Sequence, residues 1–166
     1  MNKPIRLKFV KFDSNSCVML YIASDHGGFQ LKKYLIRYLK NQLKIKAVDL
    51  GAKKYDGADD YPDFALALGK KVVKNKTNKG VLLCRNGIGV CITANKIKGI
   101  RAALGFNIEA TEWARRDDHV NVLCLPAEYL SAEHAAAIVK KFLETPDDND
   151  ARFTRRLKKI AAIEKF

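Results

Sequence analysis

Residues 80–89 read Gly-Val-Leu-Leu-Cys-Arg-Asn-Gly-Ile-Gly. The unbroken apolar run from Val81 to Cys84 suits a strand buried on both faces, which a parallel sheet covered by helices provides. The glycine-bearing loop from Arg85 to Gly89 then opens a helix that reaches about Lys96. The same order stands upstream. The run Val18-Met-Leu-Tyr-Ile-Ala23 leads into the turn Ser24-Asp25-His26-Gly27-Gly28, and Leu31, Tyr34, Leu35, Tyr38 and Leu39 follow at helical spacing. Outward from these two units the alternation continues. Further strands are expected over 45–50, 99–104 and 121–125, and helices over 62–73, 107–116, 131–143 and, strongly basic, 151–163.

Five strands separated by helices predict an α/β fold. The expected form is a three-layer, Rossmann-like αβα arrangement around a five-stranded parallel sheet, with right-handed crossovers and the common strand order 2-1-3-4-5. At 166 residues the chain suits one domain, placed here over residues 18–166, with residues 1–17 an N-terminal extension outside the alternation. The apolar runs are too short to span a bilayer, and the first residues lack the apolar core of a secretion signal. Four cysteines without a CxxC pair argue against a zinc site or a disulfide framework and fit a reducing cytoplasm. The net charge of +13 is scattered over lysine-rich faces, which favours anions in general more than nucleic acid.

In an open parallel sheet, ligands bind beyond the carboxyl ends of the strands, where neighbouring strands send their helices to opposite faces. For this chain that point falls between the first and third strands. The loops meeting there are Ser24 to Gly28 and Cys84 to Gly89, the two richest in reactive and flexible residues. Gly87-x-Gly89 lacks the third glycine of a dinucleotide fingerprint, which argues against a nicotinamide cofactor. Cys84 is either a packed thiol or a reactive one, set beside Arg85 and before a helix N-terminus. Cys91 and Cys124 fall at core positions. Asp25 and His26 form either an acid–base pair or a helix cap. His119 lies before the fifth strand, and His134 early in an alanine-rich helix. Arg152 and Arg156, four apart, share a helix face that is either a phosphate clamp or simply solvated.

Taken together, these residues resemble the type B ribose-5-phosphate isomerases, whose wider family includes the galactose-6-phosphate isomerase subunits. The resemblance is carried by Ile22-Ala-Ser-Asp-His-Gly-Gly-Phe29, Asp60-Tyr-Pro-Asp63, residues 80–89, Ala94-Asn-Lys96, Gly99-Ile-Arg-Ala-Ala103, Asn121-Val-Leu123 and the Arg152, Arg156 pair, in family order over about 18–163. It implies a homodimer or dimer of dimers that interconverts aldose and ketose phosphates through an enediolate, with sites between subunits and no metal or cofactor. By the same resemblance Cys84 is the base. The backbone of Asn86, Gly87, Ile88 and Gly89 holds the enediolate oxygen, Asp25 and His26 contact the sugar and phosphate, and Tyr61 lines the pocket, with Arg85 a further substrate-binding candidate. Arg152 and Arg156 are then phosphate ligands lent by the partner.

Asp117 stands where the family carries its ring-opening histidine, and Asp118 where it carries an asparagine. The family's Cys-Gly-Thr-Gly or Cys-Gly-Ser-Gly loop is here Cys84-Arg85-Asn86-Gly87, and Glu128 and Phe153 replace a frequent arginine and histidine. The expected function is therefore an aldose–ketose isomerase of a pentose or hexose phosphate, with Asp117, or His119 after a two-residue shift of the loop, in the ring-opening role. The alternative is a phosphosugar-binding relative that has lost turnover.

Overall fold

Successive residues of a strand point to opposite faces of the sheet, and this sorts the apolar side chains into two cores. Leu20, Ile22, Val81, Leu83, Leu123 and Leu125 line one face, while Ala23, Leu82, Cys84, Val122 and Cys124 line the other. The structure, a computed structural model, describes residues 19–164. The extension over 1–17, Cys17 with it, and the expected strand residue Val18 lie outside the described residues.

The strands are β1 (Leu20–Ser24), β2 (Ala47–Asp49), β3 (Lys79–Cys84), β4 (Ala102–Leu104) and β5 (Val122–Pro126). The helices are α1 (Phe29–Asn41), α2 (Tyr61–Val72), α3 (Ile88–Asn95), α4 (Ile108–Asp118), α5 (Ala132–Glu144) and α6 (Ala151–Ile163), with a short 3-10 turn over His26–Gly28. Caps explain where several begin. The side chains of Asn107, Ser131 and Asp150 each accept a hydrogen bond from a first-turn N–H, and Pro62 stands in the first turn of α2.

All five strands are parallel, but their order is β2-β1-β3-β5-β4, not the expected 2-1-3-4-5. Burial explains the exchange. Every residue of β5 is buried, whereas the three residues of β4 are only half-buried. The longer, wholly apolar strand takes the inner place between β3 and β4, and the short strand takes the edge. The chain therefore overshoots from β3 to β4 through α3 and returns through α4. A right-handed return of that sense puts α4 on the same face as α1 and α5, with α2 and α3 opposite.

One buried charge braces the carboxyl ends of β1 and β2. Lys32 on α1 is 1% exposed. Its Nζ donates to Asp49 Oδ1 at 2.7 Å and to the carbonyls of Gly51 and Ala52 at 2.7 and 2.6 Å, using all three ammonium donors. Gly51 O and Ala52 N in turn bond the backbone of Ser24. Lys32→Met removes a charge-assisted donor from all three acceptors, of which Gly51 O keeps the Ser24 N–H and Asp49 Oδ1 the Gly51 N–H, and is expected to lower stability by about 3 kcal/mol, measured by urea denaturation.

Candidate active site

Cys84 ends β3 and is buried. Its Sγ accepts a hydrogen bond from the Gly87 N–H at 3.1 Å. The loop closes this tightly because Gly87 adopts a left-handed backbone, φ 72°, where a Cβ would also sit 3.0 Å from the backbone of Leu125 and Pro126. Asn86 Oδ1 accepts the Ile88 N–H at 3.1 Å and stands 3.8 Å from the sulfur. The next first-turn N–H groups of α3, those of Gly89 and Val90, have no partner within the helix and are donors for an anion. The Tyr61 ring covers this turn so closely that a Cβ on Gly89 would lie 2.6 Å from its Cζ.

The β1 loop abuts the same place. A Cβ on Gly27 would meet the Arg85 N at 2.9 Å, and one on Gly28 would meet the Leu83 carbonyl carbon at 2.8 Å. Asp25 caps the turn, its Oδ1 accepting the Gly28 N–H at 3.1 Å, and burial raises its carboxyl above the usual range. His26 Nδ1 lies 2.7 Å from Asp59 Oδ1, which also accepts the His26 N–H at 2.9 Å. That hydrogen bond raises the imidazole above its ordinary value, with the charge of Asp25 adding to it. Atoms of Asp25, His26 and Asp59 lie within 4.8 Å of one another. Nδ1 and Oδ1 are engaged on each other, which makes the trio a hydrogen-bonded cluster. Beside it, the backbone after β5 continues the β3 ladder through Ala127 N to Cys84 O and Glu128 N to Arg85 O. The Arg85–Glu128 pair, 3.6 Å apart with both side chains more than half exposed, contributes little by itself.

Nine of the candidate residues thus gather at the carboxyl ends of β1 and β3: Asp25, His26, Tyr61, Cys84, Arg85, Asn86, Gly87, Ile88 and Gly89. The other four do not. Asp117 and Asp118 end α4, before the amino end of β5, and are separated from the Cys84 end by a strand length, about 16 Å for five residues. One carboxylate oxygen of Asp117 is buried without a partner among the described residues. Arg152 and Arg156 are exposed on α6. That helix lies across the amino ends of the strands, joined to α4 through Asp148 N and Arg116 O and to Gly99 N through Glu164. A cleft of about 940 Å³ separates α6 from the turn before β4, lined by Lys96, Arg101, Asp118, Ile160 and Ile163 among others.

His119 caps α4 in a left-handed conformation and donates from Nε2 to Asp148 O at 2.8 Å, which ties down the segment leading into α6. His134 is exposed. Burial pushes the Cys124 thiol up, and Cys91 is half-buried between α3 and β4.

The sequence reading passed over Asp59 and Lys32. Asp59 sits in an acidic loop with no periodicity, 33 residues from the histidine it holds, so no local signal marks it. The close approach of the two loops has a direct test. Gly28→Ala forces backbone apart and is expected to lower stability by about 1–3 kcal/mol. Gly57→Ala, with nothing nearer than 3.9 Å, is expected to change it by less than about 0.5 kcal/mol in the same urea titrations.

Residues 20–160 match the family profile described as Ribose/Galactose Isomerase. A protein of Mycoplasma pneumoniae named probable ribose-5-phosphate isomerase B is 41% identical over 146 residues, 88% of this chain and 95% of its own. Ribose-5-phosphate isomerase B of Mycobacterium tuberculosis is 33% identical over 150 residues, 90% of this chain and 92% of its own. Among solved structures, ribose-5-phosphate isomerase B from Mycoplasma genitalium with bound ribulose-5-phosphate superposes with a TM-score of 0.84 at 41% identity, covering 90% of this chain and 97% of that one.

Proposed function

The chain belongs to the ribose/galactose isomerase family, and on that premise we propose that it interconverts ribose 5-phosphate and ribulose 5-phosphate. The observation that carries this reading is the loop wrapped around Cys84, with an N–H aimed at its sulfur and a helix N-terminus beside it. In the proposed reaction the Cys84 thiolate takes the proton from C2 of the open-chain aldose. The electrons move onto the carbonyl oxygen O1 as an enediolate, which the first-turn N–H groups of α3 stabilise; the proton on O2 passes to O1, and the same thiol returns its proton to C1 as the carbonyl forms at C2. Asp25 and His26 hold the substrate across the site from that helix, and Tyr61 closes over it.

The residues at the amino ends of the strands enter this scheme from a second copy of the chain. Arg152 and Arg156 bind the phosphate as a charge-assisted pair, Asp117 moves the protons that open the furanose ring, and Asp118 beside it contacts the substrate. Two features support a homodimer. These residues cannot reach Cys84 within one chain, and Ile88, Ile92 and Tyr61 leave 51%, 57% and 39% of their surfaces open around the site. Free Cys84, Cys91 and Cys124 support a reducing cytoplasm, and among the described residues no helix is long and apolar enough to cross a membrane.

Cys84→Ala is expected to slow exchange of the C2 proton of ribose 5-phosphate in deuterated water by about 10²–10⁴-fold, read by NMR, while substrate still binds. Normal exchange in this variant would remove the mechanism. A protein that exchanges no pentose or hexose phosphate, yet binds them, would be the non-catalytic relative.

Mixing Cys84→Ala with Arg156→Ala subunits tests the shared site. Each variant alone is expected to be inactive. The mixed dimer is expected to recover one intact site, about a quarter of wild-type activity for random exchange of subunits. No recovery, with mixed dimers verified by mass spectrometry, would show that the arginine does not serve the partner.

A further inference from the structure

His26 is held from more sides than a substrate contact on a loop requires. Asp59 Oδ1 takes both its backbone N–H, at 2.9 Å, and its ring Nδ1, at 2.7 Å. Tyr55 stands edge-on to the imidazole, 6.3 Å between ring centres at 81°, and edge-on to Phe29 at 6.1 Å. Asp59 is itself braced. Its N–H donates to Asp56 O, whose side chain also accepts the Ala58 N–H, so the loop is wound under the carboxylate. The Asp59 side chain is only 11% exposed, and its second oxygen is buried without a partner among the described residues. The charged groups facing the imidazole are Asp59 and Asp25, both acidic, with the Arg85 backbone against neighbouring Gly27.

We propose that Asp59 is the positioning residue of His26. It fixes Nδ1 as a donor and favours the cationic ring, so that Nε2–H is an oriented donor to an anionic oxygen of the substrate. The chemistry favours this arrangement. With Nδ1 engaged, Nε2 is the ring nitrogen left for a ligand, and it has no hydrogen-bond partner among the described residues. A second carboxylate facing the ring strengthens the preference for the cation, consistent with the raised imidazole. An imidazolium binds a phosphate or enediolate oxygen by a charge-assisted hydrogen bond, about twice as strong as a neutral one. The proposal rests on the reading of His26 as a substrate contact and goes beyond it in assigning Asp59 control of its charge and orientation.

The sign of the pH dependence follows. A cationic donor is lost as pH rises through its titration, so affinity falls on the alkaline side. Asp59→Asn keeps the shape and an acceptor oxygen but removes the charge, which moves that fall to lower pH. The probe is ribitol 5-phosphate, which carries the phosphate but no carbonyl and does not react. Titrated calorimetrically from pH 5.5 to 8, Asp59→Asn is expected to bind within about twofold of wild type at pH 5.5 and about tenfold more weakly at pH 8. The titration of the phosphate itself is common to both proteins and cancels in the ratio.

With ribose 5-phosphate the loss is expected to fall on KM more than on kcat. The same gap with inorganic phosphate assigns the anionic oxygen to the phosphate. A gap confined to kcat/KM assigns it to the enediolate. A ratio that does not change with pH in any of these measurements would make Asp59 a structural residue only and overturn the proposal. His26→Ala that binds ribitol 5-phosphate and turns over like wild type would instead overturn the reading of His26 as a contact. Should Asp59→Asn fail to fold, the imidazole of His26 in the unaltered protein can be titrated by NMR. Titration at or below the value of free histidine would overturn the proposal equally.

Discussion

Where β1 and β3 lie side by side, the turn after β1 and the end of β3 must share one small space. Gly28 meets Leu83 and Gly27 meets Arg85, each at a separation that admits hydrogen and no carbon. That approach brings a cysteine, an aspartate and a histidine from distant parts of the chain to one opening. It is possible because the two helices leave on opposite faces of the sheet, so their first turns diverge and leave a crevice between them. The register is held by strand pairing from Leu20 against Lys79 to Ser24 against Leu83. A one-residue slip would turn Cys84 to the other face of the sheet.

In the proposed reaction the carboxyl end of the sheet supplies the base, the oxyanion site and a charged donor. The amino end carries the arginines and the aspartate pair. A single chain keeps these halves apart by the length of its own strands, so the proposed chemistry requires two copies, the carboxyl end of one facing the amino end of the other at each site. The form of α6 is consistent with that proposal. Only Phe153 is buried there, while the basic residues and Ile160 and Ile163 stay accessible. His119 serves the same end indirectly, holding the segment before α6 in place through Asp148.

Two buried or half-buried ions lie behind the reactive loops. Lys32 saturates three acceptors at the end of β2, and its bonds to Gly51 and Ala52 fix the backbone beside Ser24, one residue before Asp25. Asp59 does for the His26 ring what Lys32 does for the backbone. In both cases burial makes the missing partner costly, and that cost holds the geometry.

The sequence by itself determined the class of fold, the succession of elements within a residue or two except at β4, expected from 99 and starting at Ala102, and the two loops that would meet. Continuous apolar strands and helical periodicity are local signals, and a parallel sheet admits few ways of connecting them. Cys84, its glycine loop and the Asp25–His26 turn were legible because they occupy strand ends, where topology concentrates ligands. The exchange of β4 and β5 was not legible, since both read as short apolar runs and only their competition for the inner position separates them. Nor were Asp59 and Lys32. Their partners lie 33 and 17 to 20 residues away, and a hydrogen bond of that reach leaves no period in the chain. Only the tertiary structure decided that Asp117 and the Arg152, Arg156 pair stand at the opposite end of the sheet from Cys84, because the direction of every strand fixes which end each helix terminus must occupy.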